Sequence, residues 1–330
     1  MTALPSLPEP LVIPASSGWS ARRAAAVAVG NFDGVHVGHA EIVRRLRAAA
    51  DHRGVPAAVL TFDPHPARIV RGLTAPMPLT TPERRAELLL ALGLDAVLVQ
   101  PVDDRLVAMP AEAFYRDVLR GRLRAVALVE GADFRFGAGR RGDVGLLATL
   151  AAADGIGLEV VDPVLVDGAA VSSSRVRSLL AAGDLAAAGS LLTAPYRVSG
   201  TVVPGAGRGA GLGFPTANLA GIATLLPAPG VYAARAAVAA GAESYAAAVH
   251  VGANATFGET DVSVEAHLVG FTGDLYGRRL DVDFLARVRD TRRFDSIDEL
   301  VVRMRADVAR AAEIAGDTRA APAPRSEHAT

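Results

Sequence analysis

Hydrophobic and polar positions divide the chain into two patterns. Over the first half, residues 24–29, 55–62, 95–100, 125–129 and 158–161 are short, mostly apolar runs, as expected of strands buried on both faces. Amphipathic stretches at 38–50, 81–92, 110–120 and 144–153 separate them and predict helices. Thr81-Pro82-Glu83 reads as an N-cap, a proline in the first helical position and a first-turn acid. Short strands alternating with helices predict an α/β domain whose parallel sheet is covered on both faces.

The pattern changes after about Gly183. Residues 184–192 read as a short helical connector. Strand-length runs follow at 196–203, 230–237, 244–251, 262–269 and 280–288, with Gly-containing turns and no long helix between them. They predict an antiparallel barrel or sandwich, closed by one helix over 296–315. The expected organisation is a first domain over 1–183, a linker over 184–195, a second domain over 196–318 and a disordered tail over 319–330.

Composition narrows the chemistry. All 34 cationic side chains among the 330 residues are Arg, since the chain has no Lys, and there is no Cys. Walker-type loops, kinase lysines and Schiff bases are thereby excluded, as are disulfides, thiolate catalysis and Cys-based metal sites. A net charge of −1 speaks against nucleic acid as a partner. No run approaches the ~18 apolar residues of a membrane helix, and the N-terminus lacks a basic start followed by an apolar run. A cytoplasmic location without membrane partners is the expectation, and oligomeric state is left open.

The segment Gly30-Asn31-Phe32-Asp33-Gly34-Val35-His36-Val37-Gly38-His39 falls where the first strand ends and a helix begins. Ligands of open parallel sheets bind at strand carboxyl ends, and helix N-termini offer free N–H groups to phosphate. His36 and His39, three apart, share one helical face and can donate to a triphosphate and its departing pyrophosphate. The plain alternative is a Gly-rich turn with two solvated histidines. Three further segments also fall at expected strand ends: Thr61 to Pro66, Gly131 to Gly137 around Asp133, and Ser172-Ser173-Ser174-Arg175-Val176-Arg177. The last is a helix cap followed by two arginines, an anion clamp.

In the second half, Gly205 to Gly213 is dense in glycine but holds no G-x-G-x-x-G and does not read as opening a helix. A loop that folds over phosphates with backbone N–H groups fits better than a dinucleotide fingerprint. Gly207 and Gly213 are its candidate phosphate contacts. Thr216 and Asn218 follow two apart on an extended segment, sharing one face as oxygen ligands suited to magnesium. The alternative is an ordinary Gly-rich hairpin. In Ser263-Val264-Glu265-Ala266-His267-Leu268 the alternation sets Glu265 on the face opposite Val264, Ala266 and Leu268. There it is either solvated or, pointing into the barrel mouth, a base for a substrate hydroxyl.

The strings GNFDGVHVGH, TFDPHP, GADFRFG and SSSRVR resemble the adenylyltransferase module of the prokaryotic bifunctional riboflavin kinase/FAD synthetase family, within the HxGH nucleotidylyltransferase superfamily. LGFPTANL, GVYAA, VGANATF, SVEAHL, GDLYG, VDFLARVRD and RRFDSIDEL resemble its flavokinase barrel. The resemblance covers roughly residues 24 to 315. It implies a Rossmann-like domain followed by an antiparallel β-barrel with a C-terminal helix. The implied activity is ATP-dependent phosphorylation of riboflavin to FMN, then adenylylation of FMN to FAD with release of pyrophosphate, with Mg2+ as cofactor. By that resemblance His36 and His39 contact ATP phosphates, with Gly30, Asn31, Phe32 and Gly38 seating the nucleotide. Ser172, Ser173 and Arg177 bind phosphate, with Ser174 in place of the usual Thr. Asp133 lies near the flavin phosphate. Thr216 and Asn218 hold Mg-ATP, Glu265 is the general base, and Arg289 helps hold the flavin. The chain departs from the family pattern at Ala255, Thr291 and Thr193-Ala194. An adenylyltransferase with a weakened kinase or a different phosphate substrate, and a non-enzymatic flavin-binding regulator, are the rival readings.

Overall fold

The apolar run Ala25–Val29 forms a strand, β2, that is buried along its whole length and lies at the centre of a six-stranded sheet. The computed structural model describes residues 11–14, 23–238, 243–253 and 262–316. They cluster into two compact units, Met1–Ser173 and Ser174–Thr330. The expected tail at 319–330 and the departure at Ala255 lie outside the described residues.

In the first unit the sheet contains β1 (Leu11–Pro14), β2, β3 (Ala57–Asp63), β4 (Ala96–Pro101), β5 (Ala125–Gly131) and β6 (Gly157–Val161). Their order is β1-β4-β3-β2-β5-β6. All pairs are parallel except β1, which runs antiparallel along β4. That edge strand is absent from the sequence reading, because three apolar residues between Pro10 and Pro14 give no period to read. From β2 the chain builds outward first through β3 and β4, then on the other side through β5 and β6. The switch point therefore falls at the carboxyl ends of β2 and β5, the expected place for a ligand crevice. Helices α1 (Val37–Arg53), α2 (Pro82–Ala91) and α3 (Val144–Ala153) connect the strands. Thr81 caps α2 as the sequence predicts, its side chain accepting from the Arg84 N–H at 3.3 Å. The helix expected over 110–120 instead passes from Ala111–Ala113 into a π-helix over Phe114–Arg122. The widened turn lets Phe114, Tyr115, Val118 and Leu119 share one buried face. Two apolar clusters, one on each side of the sheet, form the core of this unit, with Leu60, Leu98 and Phe114 in one and Val43, Leu46 and Leu89 in the other.

Helix α4 (Ser173–Ala182) begins at the last residue of the first unit, and in the second unit its remainder and α5 (Leu185–Leu191) lead into a closed six-stranded barrel. Its strands are β7 (Tyr196–Val203), β8 (Ala217–Ala220), β9 (Gly230–Val238), β10 (Ser244–Gly252), β11 (Ser263–Leu268) and β12 (Arg279–Arg289). The order is β7-β8-β11-β10-β9-β12, all antiparallel, closing from β12 onto β7. Its interior is filled: Tyr232 and Phe284 are fully buried and meet edge to face at 5.2 Å. Helix α6 (Ile297–Ala315) is capped by Ser296, whose side chain accepts from the Glu299 N–H. It packs Ala312 and Ala315 against Ala246 and Val269. Among the described residues, no helix is long and apolar enough to cross a membrane.

Candidate functional site

The loop that leaves β2 is set by its backbone. Phe32 and Val35 hold φ values of 48° and 43°, a left-handed conformation that costs side-chain-bearing residues energy, most of all a β-branched one. A buried network holds it there. Asp33, 2% exposed, accepts from the Leu79 and Thr80 N–H groups and the Thr80 hydroxyl, all at 3.0 Å. Arg85, 3% exposed, lies 3.7 Å from the Asp33 carboxylate and donates to the Thr61 hydroxyl and the Phe62 carbonyl at 3.0 Å. Thr61 in turn donates to the Asn31 carbonyl. The strained loop is thus fixed from α2 and β3 through a charge pair kept from water.

The loop delivers His36 to the N-cap of α1 and His39 to its first turn. Each ring accepts the other residue's backbone N–H at Nδ1, both at 3.3 Å, and the rings stack at 3.5 Å. Burial holds the His36 pKa down to about 4, against the attraction of Asp133 and Asp33. Burial, then the nearby His36 and Arg85, pushes that of His39 well below the usual histidine value. Both rings are therefore neutral at pH 7. With Nδ1 accepting, the ring proton of each resides on Nε2, so the pair presents two N–H donors. Gly38 leaves room for the His36 ring: a Cβ there would lie 3.1 Å from His36 Nδ1, so the ring would have to shift by a few tenths of an ångström.

Of the remaining candidates, Asn31, Asp133 and Ser173 lie at this loop. Gly30 and Asn31 continue β2, and Asn31 Oδ1 is buried without a hydrogen-bond partner, an acceptor waiting for a donor. Asp133, exposed after β5, is close enough to act on the His36 charge. Ser173, the last residue of the first unit, donates to the Asp33 carbonyl at 2.8 Å. Ser172, just before it, is exposed. Arg177 is one turn into α4 and clusters with the second unit.

The second constellation is a row across the barrel. Strand register places Asn218 opposite Glu265, Glu265 opposite His250, His250 opposite Val231, and Val231 opposite Arg289. Directly opposed residues share a face, so five strands contribute to one row. Val264, Ala266 and Leu268 are buried, and Glu265 is on the other face, as the alternation predicts. The carboxylate does not enter the barrel, however. Tyr232 and Phe284 occupy the interior, and Glu265 faces a cavity of about 140 Å³ whose other wall includes Leu300, Met304 and Val308 of α6. Thr216 Oγ1 is 3.4 Å from Glu265 Oε2. Arg289 is half-buried in the same cavity, donating from Nε and Nη2 to Asp307 at 2.9 and 2.7 Å with its guanidinium over Phe294. Thr291 also lines the cavity.

The Gly-rich segment forms a one-turn helix over Arg208–Gly211, where the sequence reading expected only loop. Gly207 and Gly213 have φ of 70° and 85°, so their role is conformational. Two other glycines supply the close approach. A Cβ at Gly205 would lie 2.2 Å from Asn218 Nδ2, and one at Gly209 2.5 Å from the Phe214 carbonyl. This cradle presses onto Thr216 and Asn218. Sequence reasoning missed Asp33, Arg85, His250, Gly205 and Gly209 as site residues. Asp33 stood inside the quoted motif, and a carboxylate between two glycines beside a strand end was a usable signal. Arg85 and His250 had none, because only the fold brings them to the sites.

Among the described residues no group of three or more His, Asp or Glu side chains is placed to hold a metal. The available hard donors are the Thr216 hydroxyl and the Asn218 amide oxygen, which suit a cation that arrives with phosphate oxygens.

Residues 19–175 match the family model of FAD synthetase and residues 192–315 that of riboflavin kinase. A protein of Escherichia coli (strain K12) described as a bifunctional riboflavin kinase/FMN adenylyltransferase is 36% identical over 89% of this chain and 93% of its own length. Relatives described in the same words are 37% identical in Pseudomonas fluorescens, over 89% of this chain and 94% of that one, and 31% identical in Bacillus subtilis (strain 168), over 85% and 89%. A solved structure from Streptococcus pneumoniae, described as a macrolide-efflux protein, superposes with a TM-score of 0.76 at 31% identity, covering 86% of this chain and 92% of that one.

Proposed function

The chain belongs to the bifunctional riboflavin kinase/FMN adenylyltransferase family, and from that premise we propose that it makes FAD from riboflavin in two ATP-dependent steps. Residues 196–318 carry the kinase and residues 1–183 the adenylyltransferase, joined by 184–195. The observation that carries this reading is that each matched segment contains its own constellation: a neutral His pair at a helix N-terminus in one, a carboxylate among oxygen donors in the other.

In the kinase step Glu265 accepts the proton of the riboflavin 5′-hydroxyl, whose oxygen attacks the γ-phosphorus of ATP as the bond to ADP breaks. Arg289, fixed by Asp307, anchors the flavin. The Gly205 to Gly213 cradle, with Gly207 and Gly213 shaping its turns, holds the nucleotide phosphates. Thr216 and Asn218 would hold magnesium, which when bound neutralises phosphate charge. In the second step an FMN phosphate oxygen attacks the α-phosphorus of ATP and pyrophosphate leaves, with no protein nucleophile. His36 and His39 donate from Nε2 to the phosphates, where they stabilise the charge that grows on the leaving group without adding a cation. Gly30, Asn31, Phe32 and Gly38 seat the nucleotide, Asn31 Oδ1 accepting from it. Ser172, Ser173 and Arg177 bind phosphate, and Asp133 lies beside the flavin phosphate. Use of ATP in both steps fits a cytoplasmic location.

Incubation with riboflavin, ATP and magnesium, followed by chromatography of the flavins, tests the proposal. FMN and then FAD are expected. FAD from supplied FMN alone would remove the kinase half, and tight flavin binding without turnover would favour a regulator.

A further inference from the structure

One cavity-lining side chain has no part in the scheme above. His250 is the central member of the barrel row, flanked by Glu265 on β11 and Val231 on β9, with Arg289 next beyond Val231. It lines the same cavity as Glu265, Thr216 and Arg289. Its Nδ1 is buried with no hydrogen-bond partner. Nε2 is then the one ring nitrogen left to serve the cavity. Burial lowers the pKa of the ring, more than Glu265 raises it. A neutral ring has one proton, and a buried orphan N–H is the rarer defect compared with an under-used acceptor. The proton is therefore assigned to Nε2, which makes His250 a donor toward the cavity.

The row also orders the ligands. Asn218, at one end, belongs to the nucleotide side, and Arg289, at the other, to the flavin side. His250 is on the flavin side of the base. The geometry points to His250 as a further substrate-contacting residue of the kinase site, donating from Nε2 to an oxygen of the flavin's polyol chain next to the hydroxyl that Glu265 deprotonates. This rests on the kinase reading. The contact fixes the polyol so that its terminal hydroxyl faces Glu265, an orienting role that acts through the substrate. It also favours a flavin with a hydroxylated side chain over the bare ring system, because a ring without the polyol leaves Nε2–H unpaired.

The test compares His250→Leu with His250→Gln in the full chain. Leu matches the bulk without a polar atom, and Gln places an amide N–H near the position of Nε2. For His250→Leu, kcat/KM for riboflavin should fall about tenfold, the scale of one neutral hydrogen bond, with KM for ATP unchanged. Binding of lumiflavin, which has the ring system but no polyol, should not change. His250→Gln should restore most of the loss. The inference is overturned if His250→Leu phosphorylates riboflavin within about twofold of the unaltered chain, or if His250→Gln is as poor as His250→Leu. If His250→Leu loses lumiflavin binding as well, the ring shapes the pocket. His250→Asn then decides: its shorter amide falls short of the Nε2 position, so activity equal to that of His250→Gln would also overturn the inference. An unaltered chain that does not phosphorylate riboflavin overturns the kinase reading itself, a result distinct from a working kinase indifferent to His250.

Discussion

The two sites obtain their geometry by different means. In the first unit the ligand-facing groups depend on a loop whose residues Phe32 and Val35 are held in left-handed backbone conformations by the buried Asp33–Arg85 network. In the second, the row Asn218, Glu265, His250, Arg289 follows from antiparallel register, regular through His250 and shifted by a β-bulge beside the Val231–Arg289 pair, and none of its members needs a left-handed backbone. A site made by register is a set of side chains on an independent scaffold. A site made by a strained loop is a joint property of the loop and the groups that restrain it. The lesson is that mutations should separate chemistry from stability in the barrel and should couple them in the α/β unit.

The largest expected effect tests the barrel half of this contrast. Glu265→Gln keeps the shape and removes the base, so FMN formation should fall about 10³-fold. FAD formation from supplied FMN should stay at the level of the unaltered chain, and thermal unfolding should hardly move. The second variant, His39→Ala, should lower FAD formation about 10²-fold by removing one Nε2–H donor and spare FMN formation. It should also lower stability by about 1 kcal/mol, since His39 accepts the His36 N–H in the cap of α1. Flavin chromatography of each variant, and of the two mixed, reads both steps. A mixture that fails to make FAD from riboflavin would show that the defects are not confined to one step each.

Much of this was legible beforehand because it depends on local rules. Five of the six barrel strands lie within one residue of the expected runs, while β8 was read only as the extended segment carrying Thr216 and Asn218, and Thr81 caps the helix that follows it as expected. Glu265 was placed on the correct face by alternation alone. What escaped depends on contacts distant in sequence. Arg85 sits 52 positions after Asp33, inside a helix where it reads as one more surface cation. His250 looks like a lone polar residue in an apolar strand until register sets it beside Glu265. The cavity wall from α6, which moves Glu265 from the barrel mouth to the outer face, is equally a tertiary fact.

A smaller effect on rate, and a larger one on stability, should come from the loop. Asp33→Asn keeps the volume and one acceptor oxygen but leaves the buried Arg85 charge without its carboxylate. Removing one partner of a buried pair costs about 3 kcal/mol. Phe32 and Val35 can then relax from their left-handed conformations, and FAD formation should drop about tenfold as the His36 and His39 donors lose their fixed aim. Asp33→Asn combined with Arg85→Met, which removes the stranded charge, should recover part of the stability and little of the activity. Thermal unfolding and FAD formation, measured together on the single and double variants, check this. If Asp33→Asn changes rate without changing stability, the contrast between the two sites fails.

The smallest effect concerns a buried acid beside the first site rather than in it. Glu130, 2% exposed at the end of β5, accepts the Val29 N–H at 2.8 Å where β2 and β5 diverge. Burial pushes its pKa well above the usual carboxylate range, more than that hydrogen bond lowers it. Below the unfolded value near 4.5 the acid is protonated in both states and stability does not depend on pH through this group. Above it the unfolded chain ionises and the folded chain does not, so folding must take up a proton. Stability therefore falls as pH rises from 4.5 toward the folded pKa, by up to about 1.4 kcal/mol per unit. Glu130→Gln keeps an acceptor for Val29 and an N–H in place of the acid proton, and it does not titrate. Its stability relative to the unaltered chain should be flat near pH 4 and become more favourable toward pH 8, with FAD formation unchanged. Thermal unfolding across that range reads the slope. A difference independent of pH would mean that Glu130 ionises in the folded protein. A parallel loss of FAD formation would instead extend the coupled loop network of the first site across the β2–β5 switch point.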